Sequence, residues 1–223
     1  MSRDQAATFQ SELQTAIASF GIEALTKDQM TQLVRHYAML CRWNRRLNLT
    51  RITEPRAAAS LHYAESLFGA RFIAGAHTLL DIGSGAGFPA IPLAVARPDV
   101  QVTALEANQK KSLFLREAKD ESGLANFRVV TSRLEGFDWG GYELLTSRAL
   151  DRAEAILPSV IERLGPNQKL MLYCARDLMA KIEGKAKYKI DTHPIPNSEA
   201  RIVAIFSPGI DHRSSGSDGF TLI

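Results

Sequence analysis

The residues best suited to chemistry in this chain are the run Asp81-Ile82-Gly83-Ser84-Gly85-Ala86-Gly87-Phe88, which follows a short apolar segment and opens an amphipathic one. Glycines let a chain turn tightly and let its backbone N–H groups approach a ligand closely. Glu106 ends the next apolar segment, 23 residues beyond Gly83. An acid at that spacing can accept hydrogen bonds from both ribose hydroxyls of an adenosine. The ligand is not a dinucleotide. The fingerprint G-x-G-x-x-G/A, counted from Gly83, ends on Phe88, whose bulk argues against the close helix packing of a pyrophosphate site. A phosphate-binding Lys-Ser/Thr pair is absent too, which excludes a nucleotide-hydrolysing P-loop. The competing reading is a purely structural strand-to-helix turn, against which the spacing to Glu106 argues. Asp81 either orients the ligand or caps the loop, and the two roles are compatible.

These residues need a scaffold, and the pattern of the chain supplies one. Thr78–Ile82 reads as a buried strand ended by glycines. Gln101–Glu106, Phe127–Thr131, Tyr142–Thr146 and Lys169–Cys174 are further strands. Between them lie amphipathic stretches at Phe88–Ala96, Gln109–Ser122, Ala153–Leu164 and Leu178–Gly184. Strands alternating with helices mean βαβ units and a mainly parallel sheet. Tyr188–His193 and Arg201–Phe206, with a turn at Pro194, Pro196 and Asn197, predict a hairpin at the sheet edge. Residues 1–70 read as helical. Thr26-Lys27-Asp28-Gln29 has the form of a capping box, and Met30, Leu33, Val34, Tyr37, Leu40 and Cys41 then recur at helical spacing. A second helix is expected over 55–72, with Pro55 in its first turn. The organisation expected is a helical extension over 1–72, an α/β domain over 73–206 and a flexible Ser/Gly/Asp-rich tail over 207–223.

At 223 residues, 45% hydrophobic and 23% charged, the chain has the composition of one globular α/β domain with a short extension. No apolar run approaches the ~20 residues of a membrane helix, and the first ten residues lack a signal-peptide stretch, so a cytoplasmic protein is expected. Cys41 and Cys174 are far apart and sit in no metal-ligand spacing. Buried free thiols and no metal site are the expectation. The net charge of +3 says little, but its distribution says more. Between Arg35 and Arg56 stand six arginines (35, 42, 45, 46, 51 and 56) against one acid, Glu54. This is a candidate phosphate-binding patch, with a solvated helix face as the alternative.

The pattern Asp-x-Gly-x-Gly-x-Gly resembles motif I of the class I methyltransferases, whose ligand, S-adenosylmethionine, has no phosphate to hold. Other segments narrow the likeness. They are Trp43-Asn44 with Asn48-Leu49-Thr50, His62 with Glu65-Ser66, and Phe88-Pro89 with Ile91-Pro92-Leu93-Ala94. Further on come Phe114-Leu115-Arg116, Ser132-Arg133-Leu134-Glu135 and Ser147-Arg148-Ala149. Together, over residues 25–206, the chain resembles the bacterial ribosomal small-subunit methyltransferase G family, also called glucose-inhibited division protein B. The resemblance implies a Rossmann-like class I fold, with a mainly parallel seven-stranded sheet, helices on both faces and an N-terminal helical extension. It implies S-adenosylmethionine-dependent methylation of N7 of a guanine in 16S ribosomal RNA, on the small subunit or its assembly intermediate. It implies that Gly83, Gly85 and Gly87 line the cofactor site, with Glu106 on the ribose, Leu134 and Glu135 near the adenine, Arg148 near the methyl-transfer centre as catalytic and cofactor residue, and Arg133 and Arg201 facing the substrate. Asp81 and Phe88, at either end of the glycine run, join the expected cofactor set, and Arg45, Arg46 and Asn48 of the basic segment, with Arg176, join the expected RNA-facing set. Where the family commonly shows Lys-Gly after the fifth strand, this chain has Arg176-Asp177. Charge is kept there, but a planar, forked guanidinium need not make the same contact.

The residue types agree with that chemistry. Guanine N7 carries a lone pair and the sulfonium methyl is already activated, so in-line displacement needs mainly proximity and orientation, with no general base. After the fourth strand, exocyclic-amine methyltransferases carry Pro-Pro-aromatic, whereas this chain has Thr146-Ser147-Arg148-Ala149. Cys174 follows Tyr173 within a strand, a poor position for a nucleophile. Arg148 can bond guanine O6 or a phosphate through its fork, or stack on the base; an ion pair with Asp151 is the alternative. His62 reads as either a core residue or a functional one, and Trp43 as packing between extension and sheet rather than a base platform. A small-molecule or protein methyltransferase and a non-catalytic RNA-binding assembly factor are the rival functions. A monomer is expected.

Overall fold

The computed structural model describes residues 3–148, 153–182 and 188–208. Two helices open the chain, α1 (Arg3–Ser19) and α2 (Lys27–Leu47). The capping box at the start of α2 is formed: Gln29 N–H donates to Thr26 Oγ1 at 3.2 Å, and Thr26 N–H to Gln29 Oε1 at 2.9 Å. Asn48 ends the helix in the left-handed region (φ 44°). A helical run over 55–72 follows in four segments: α3 (Pro55–Ala58), a π-helical turn (Ala59–Ala64), α4 (Glu65–Phe68) and a 3-10 turn (Gly69–Phe72). Both Glu54 carboxylate oxygens cap its start through the N–H groups of Arg56 and Ala57.

The α/β portion runs β1 (Thr78–Ile82), α5 (Ala90–Ala96), β2 (Gln101–Glu106), α6 (Gln109–Ser122), β3 (Phe127–Thr131) and β4 (Leu144–Arg148). It continues with α7 (Ala153–Glu162), β5 (Lys169–Ala175), α8 (Arg176–Ile182), β6 (Tyr188–Pro194) and β7 (Arg201–Pro208). The seven strands are ordered β3-β2-β1-β4-β5-β7-β6. The first five are parallel; β7 runs antiparallel between β5 and β6. Strand order reverses between β1 and β4, and in such sheets ligands bind in the crevice at the carboxyl ends of the strands beside the reversal.

Strand alternation sorts the core onto two faces. Leu79, Leu144, Met171, Tyr173, Val203 and Ile205 pack with α5, α6 and the extension. Their neighbours Leu80, Leu145, Leu170, Leu172, Ala204 and Phe206 pack with Leu157, Val160 and Ile161 of α7 and Met179 of α8.

Several expected boundaries move. The fourth strand begins at Leu144 rather than Tyr142 and extends to Arg148, because residues 139–143 are tied into a turn. Gln168 donates to the carbonyls of Trp139 and Tyr142, and the Glu143 carboxylate accepts from the N–H groups of His77 and Thr78. The helix expected from Phe88 starts at Ala90, since 83–89 form the glycine turn. The helix expected over 178–184 starts at Arg176, and its expected end lies outside the described residues. Ser207 and Pro208, assigned to the tail, extend β7; 209–223 lie outside the described residues, as does Asp151. Both cysteines are free, but each is half-buried rather than buried. No described helix is long and apolar enough to cross a membrane.

Candidate active site

The glycine turn is zipped onto the end of β2. Gly83 and Ser84 donate N–H bonds to Leu105 O at 2.8 and 3.2 Å, and Gly87 N–H bonds Ser84 O at 2.7 Å. The three glycines have φ of 73°, 54° and 85°, a region costly for any residue with a side chain. Two of them serve different ends. A Cβ on Gly87 would meet Ile91 Cδ1 at 2.6 Å, so this glycine permits close packing. A Cβ on Gly85 would meet nothing nearer than Gly83 O at 3.8 Å, which leaves room for a ligand against the loop.

Glu106 is buried at the end of β2. Its Oε2 accepts from Gly85 N at 2.9 Å and its Oε1 from Asn108 N at 2.8 Å, so it fixes the loop and the start of α6 together. Asp81 stands at the head of the loop, fully buried, with neither carboxylate oxygen hydrogen-bonded. Burial raises its pKa to about 7 against the weaker opposing pull of Ser84 and the Ala90 N–H, and the negative charge of Glu106 adds to the rise. A buried carboxylate without partners is costly, and a cationic donor would satisfy it. The residues present therefore fit S-adenosylmethionine, a cationic ligand: a buried acid, an open glycine bend, and a second acid beside it.

Other site residues are placed as follows. Phe88, expected at the cofactor, has its ring buried against the extension. Its ring stacks on His62 (centroids 4.6 Å apart, 19° between planes) and meets His36 and Tyr63 edge-on. Leu134 is half-buried against the cluster holding Ile82 and Leu105, while Glu135 and Arg133 are exposed. The Arg148 fork is turned to the extension: Nη2 donates to Leu61 O at 2.8 Å and to His62 Nδ1 at 3.0 Å, and Nη1 donates to His62 O at 3.2 Å.

That bond fixes the histidines. A guanidinium only donates, so His62 Nδ1 is an acceptor and Nε2 carries the hydrogen toward Thr50 Oγ1, 2.8 Å away. By the same logic His36 Nε2–H donates to Ala86 O at 3.1 Å, and Tyr63 OH donates to His36 Nδ1 at 2.8 Å. Burial lowers both histidine pKa values to about 3, with the charge of Arg148 adding to the effect at His62. Both rings are neutral near pH 7.

Arg45, Arg46 and Asn48 are exposed at the end of α2. The segment after them is tied inward, for Asn44 brackets Thr50 N and O, and Thr50 holds His62. Arg176 donates to Glu199 O at 3.0 Å, and Arg201 Nη2 lies 2.7 Å from Glu65 Oε1. Since β7 runs antiparallel, Arg201 at its start shares the sheet edge with Asp81, Glu106, Arg148 and Arg176 at the strand ends, and with Arg133 just beyond β3. Trp43 packs on α6, donating to Glu117 Oε2 at 3.1 Å, which supports its packing role. Cys174 has its pKa pushed up to about 11 by burial, so it is no thiolate nucleophile. Among the described residues no group of three or more His, Cys, Asp or Glu could hold a metal ion.

Sequence reasoning missed the roles of His36, Tyr63, Tyr173 and Glu65. A signal existed for His36, a polar residue on the apolar stripe of α2 between Leu33 and Leu40. Tyr173 OH reaches Ser66 O at 2.8 Å only because residue 69 is glycine, whose added Cβ would stand 1.8 Å from that hydroxyl.

Comparison with known proteins is consistent. The family model described as rRNA small subunit methyltransferase G matches residues 29–195. The chain is 42% identical over 139 residues to the ribosomal RNA small subunit methyltransferase G of Chromobacterium violaceum, covering 62% of this chain and 66% of that protein. It is 36% identical over 194 residues to the protein of that name from Xanthomonas oryzae pv. oryzae, covering 83% of this chain and 91% of the relative. Among solved structures it resembles an O-methyltransferase from Bacillus cereus in complex with SAH (TM-score 0.55, 14% identity, 77% of this chain and 90% of the other). It also resembles the ribosomal protein L11 methylase of Lactobacillus delbrueckii subsp. bulgaricus (TM-score 0.55, 16% identity, 67% and 79%). At those identities the likeness is one of fold, that of the class I methyltransferases.

Proposed function

Because the chain belongs to the rRNA small subunit methyltransferase G family, it is an S-adenosylmethionine-dependent methyltransferase acting on guanine N7 in 16S ribosomal RNA, and we propose that transfer is direct and in-line, without a covalent enzyme intermediate. The observation that carries the site assignment is the fully buried, unpartnered Asp81 carboxylate at the head of an open glycine bend. Asp81 holds the cofactor's amino-acid end. Gly83, Gly85 and Gly87 shape the bend, Glu106 takes the ribose, and Leu134 and Glu135 flank the adenine. Phe88 supports the bend from behind through its stack on His62. S-adenosylmethionine, when bound, supplies a methyl group already activated on sulfur.

The chain's task is then orientation, which can provide several kcal/mol of catalysis by itself. N7 attacks with its own lone pair, so no side chain has to remove a proton. The surroundings agree: both nearby histidines are neutral, and each has its two ring nitrogens engaged. Arg148 locks the wall of the site to the extension through Leu61 and His62. Its charge lies beside the transfer centre, where it would favour an electron-rich base edge. Arg45, Arg46, Asn48, Arg133, Arg176 and Arg201 grip the RNA. In this reading the extension (1–72) presents RNA to the catalytic domain, which runs from residue 73 through the end of β7 at Pro208. The protein works as a monomer on small subunits or their precursors in the cytoplasm.

Transfer of radiolabelled methyl from S-adenosylmethionine to undermodified small ribosomal subunits, followed by nucleoside identification, tests the reading. Label in 7-methylguanosine is expected. Unlabelled RNA, with the cofactor still bound by calorimetry, rejects the proposed substrate.

A further inference from the structure

One strand along the edge from the glycine bend lies a cavity of about 380 Å³, walled among others by Glu65, Arg148, Tyr173, Leu178, Ile195 and Arg201. Sites that accept small ligands span roughly 300–1,000 Å³ and combine apolar walls with a few convergent polar groups. This cavity has that make-up. Its position follows from the ladder: Asp81 of β1 is paired with Thr146 of β4, and Arg148 lies two residues beyond.

Glu65 is the group in this wall that the cofactor assignment leaves unused. It is 3% exposed, on a helix whose neighbours Ser66, Leu67 and Phe68 are all buried. Its Oε1 lies 2.7 Å from Arg201 Nη2, yet no N–H is aligned on that oxygen as a hydrogen bond. A buried carboxylate is stable only when its lone pairs are satisfied, and two oxygens offer about four acceptor sites. Burial raises its pKa, and the nearby charges of Arg148 and Arg201 work in the opposite direction.

We propose that this cavity receives the target guanine, turned out of its stack, and that Glu65 selects it by accepting hydrogen bonds from N1–H and the exocyclic N2 amine. The inference rests on the guanine-N7 reading and adds the group that reads the base. Proteins that act on single bases extrude them and recognise their Watson–Crick edge. A carboxylate only accepts, and it accepts two parallel N–H donors well. Guanine is the one standard RNA base with two adjacent donors on that edge. Adenine offers a bare N1, cytosine a bare N3, and uracil a single N–H between two carbonyls. N7 lies across the ring system from the N2 amine, so a base held this way turns its nucleophile away from Glu65. Leu178, Ile195 and the Tyr173 ring furnish apolar surface for its faces.

The test crosses the protein group with the base group. Small subunits are reassembled with guanine or with inosine, which lacks the N2 amine, at the mapped target. Both are assayed with wild-type enzyme and with Glu65→Gln at saturating S-adenosylmethionine. In the wild type, inosine should lower kcat/KM roughly ten- to hundredfold, the range expected for a lost bond to a charged group. Glu65→Gln should lower kcat/KM on guanine by a similar factor, pay no further inosine penalty, and bind the cofactor as before. A wild-type enzyme indifferent to inosine overturns the proposal even if the variant fails to fold. An inosine penalty that persists in Glu65→Gln overturns it too, as does loss of cofactor binding in that variant, which would make Glu65 a support for Arg148. If the wild type places no methyl on guanine N7 in the unsubstituted particle, the underlying function fails, and the proposal with it.

Discussion

At the scale of single residues, Asp81 carries the clearest trade of stability for binding. Its pKa in the folded protein, about 7, stands above the ordinary 3.8 of an aspartate. The folded state therefore holds a proton that the unfolded chain releases. The associated stability is complete below about pH 4 and is lost as pH rises through 7. The cofactor's ammonium pairs with the ionised form, so affinity runs the other way and strengthens as pH rises through 7. Asp81→Asn should remove the stability slope between pH 4 and 7, raise stability at pH 8 by roughly 2–4 kcal/mol, and weaken cofactor binding at least tenfold. Thermal melts across pH, paired with calorimetric titration, check this; an unchanged slope would place the buried proton elsewhere. Asp81 could be named from sequence because it belongs to the glycine motif itself. Glu65 could be quoted but given no task, because its partner Arg201 arrives from β7, far away in sequence.

The elements that hold these residues were readable to different depths. β2, β3 and α6 have their expected bounds, since alternation and helical spacing are local properties. The start of β4 was placed two residues early because Tyr142 and Glu143 run directly into Leu144 and Leu145, while Gln168, later in the chain, holds the carbonyls of Trp139 and Tyr142 in a turn. The π-helical turn Ala59–Ala64 left no trace in the pattern, as six residues are too few to tell its wider pitch from an α-helix. Yet it carries the carbonyls of Leu61 and His62 that receive Arg148. Tyr63, in the same turn, joins α2 to the glycine loop through His36. Tyr63→Phe removes the donor to a buried histidine nitrogen and should cost about 1–3 kcal/mol. A thermal midpoint several degrees lower is expected, and an unchanged midpoint would mean that the relay adds nothing to the fold.

Over the whole molecule, charge and topology converge on one edge of the sheet. Parallel strands bring Asp81, Glu106 and Arg148 there, and the reversed β7 adds Arg201. That convergence was legible only as a fold class, for strand order is invisible to local patterning. The basic segment was legible directly as a count of arginines; Arg45 and Arg46 are exposed, as a phosphate-binding patch and a solvated helix face both require. Arg45→Gln with Arg46→Gln should weaken RNA binding and flatten the slope of log K against log salt by about 1–2, with cofactor affinity unchanged. An unaltered slope would remove both residues from the RNA contact. The extension that carries them shares one apolar cluster with the sheet: Phe9, Tyr37 and Tyr63 belong with Leu79, Ile91 and Met171. It is therefore no detachable cassette. A chimera that grafted these helices onto another methyltransferase sheet would have to carry over part of that shared core as well, and a lineage can refit the extension's share of the RNA grip only by substitutions on the outer surface of helices whose inner faces are already committed.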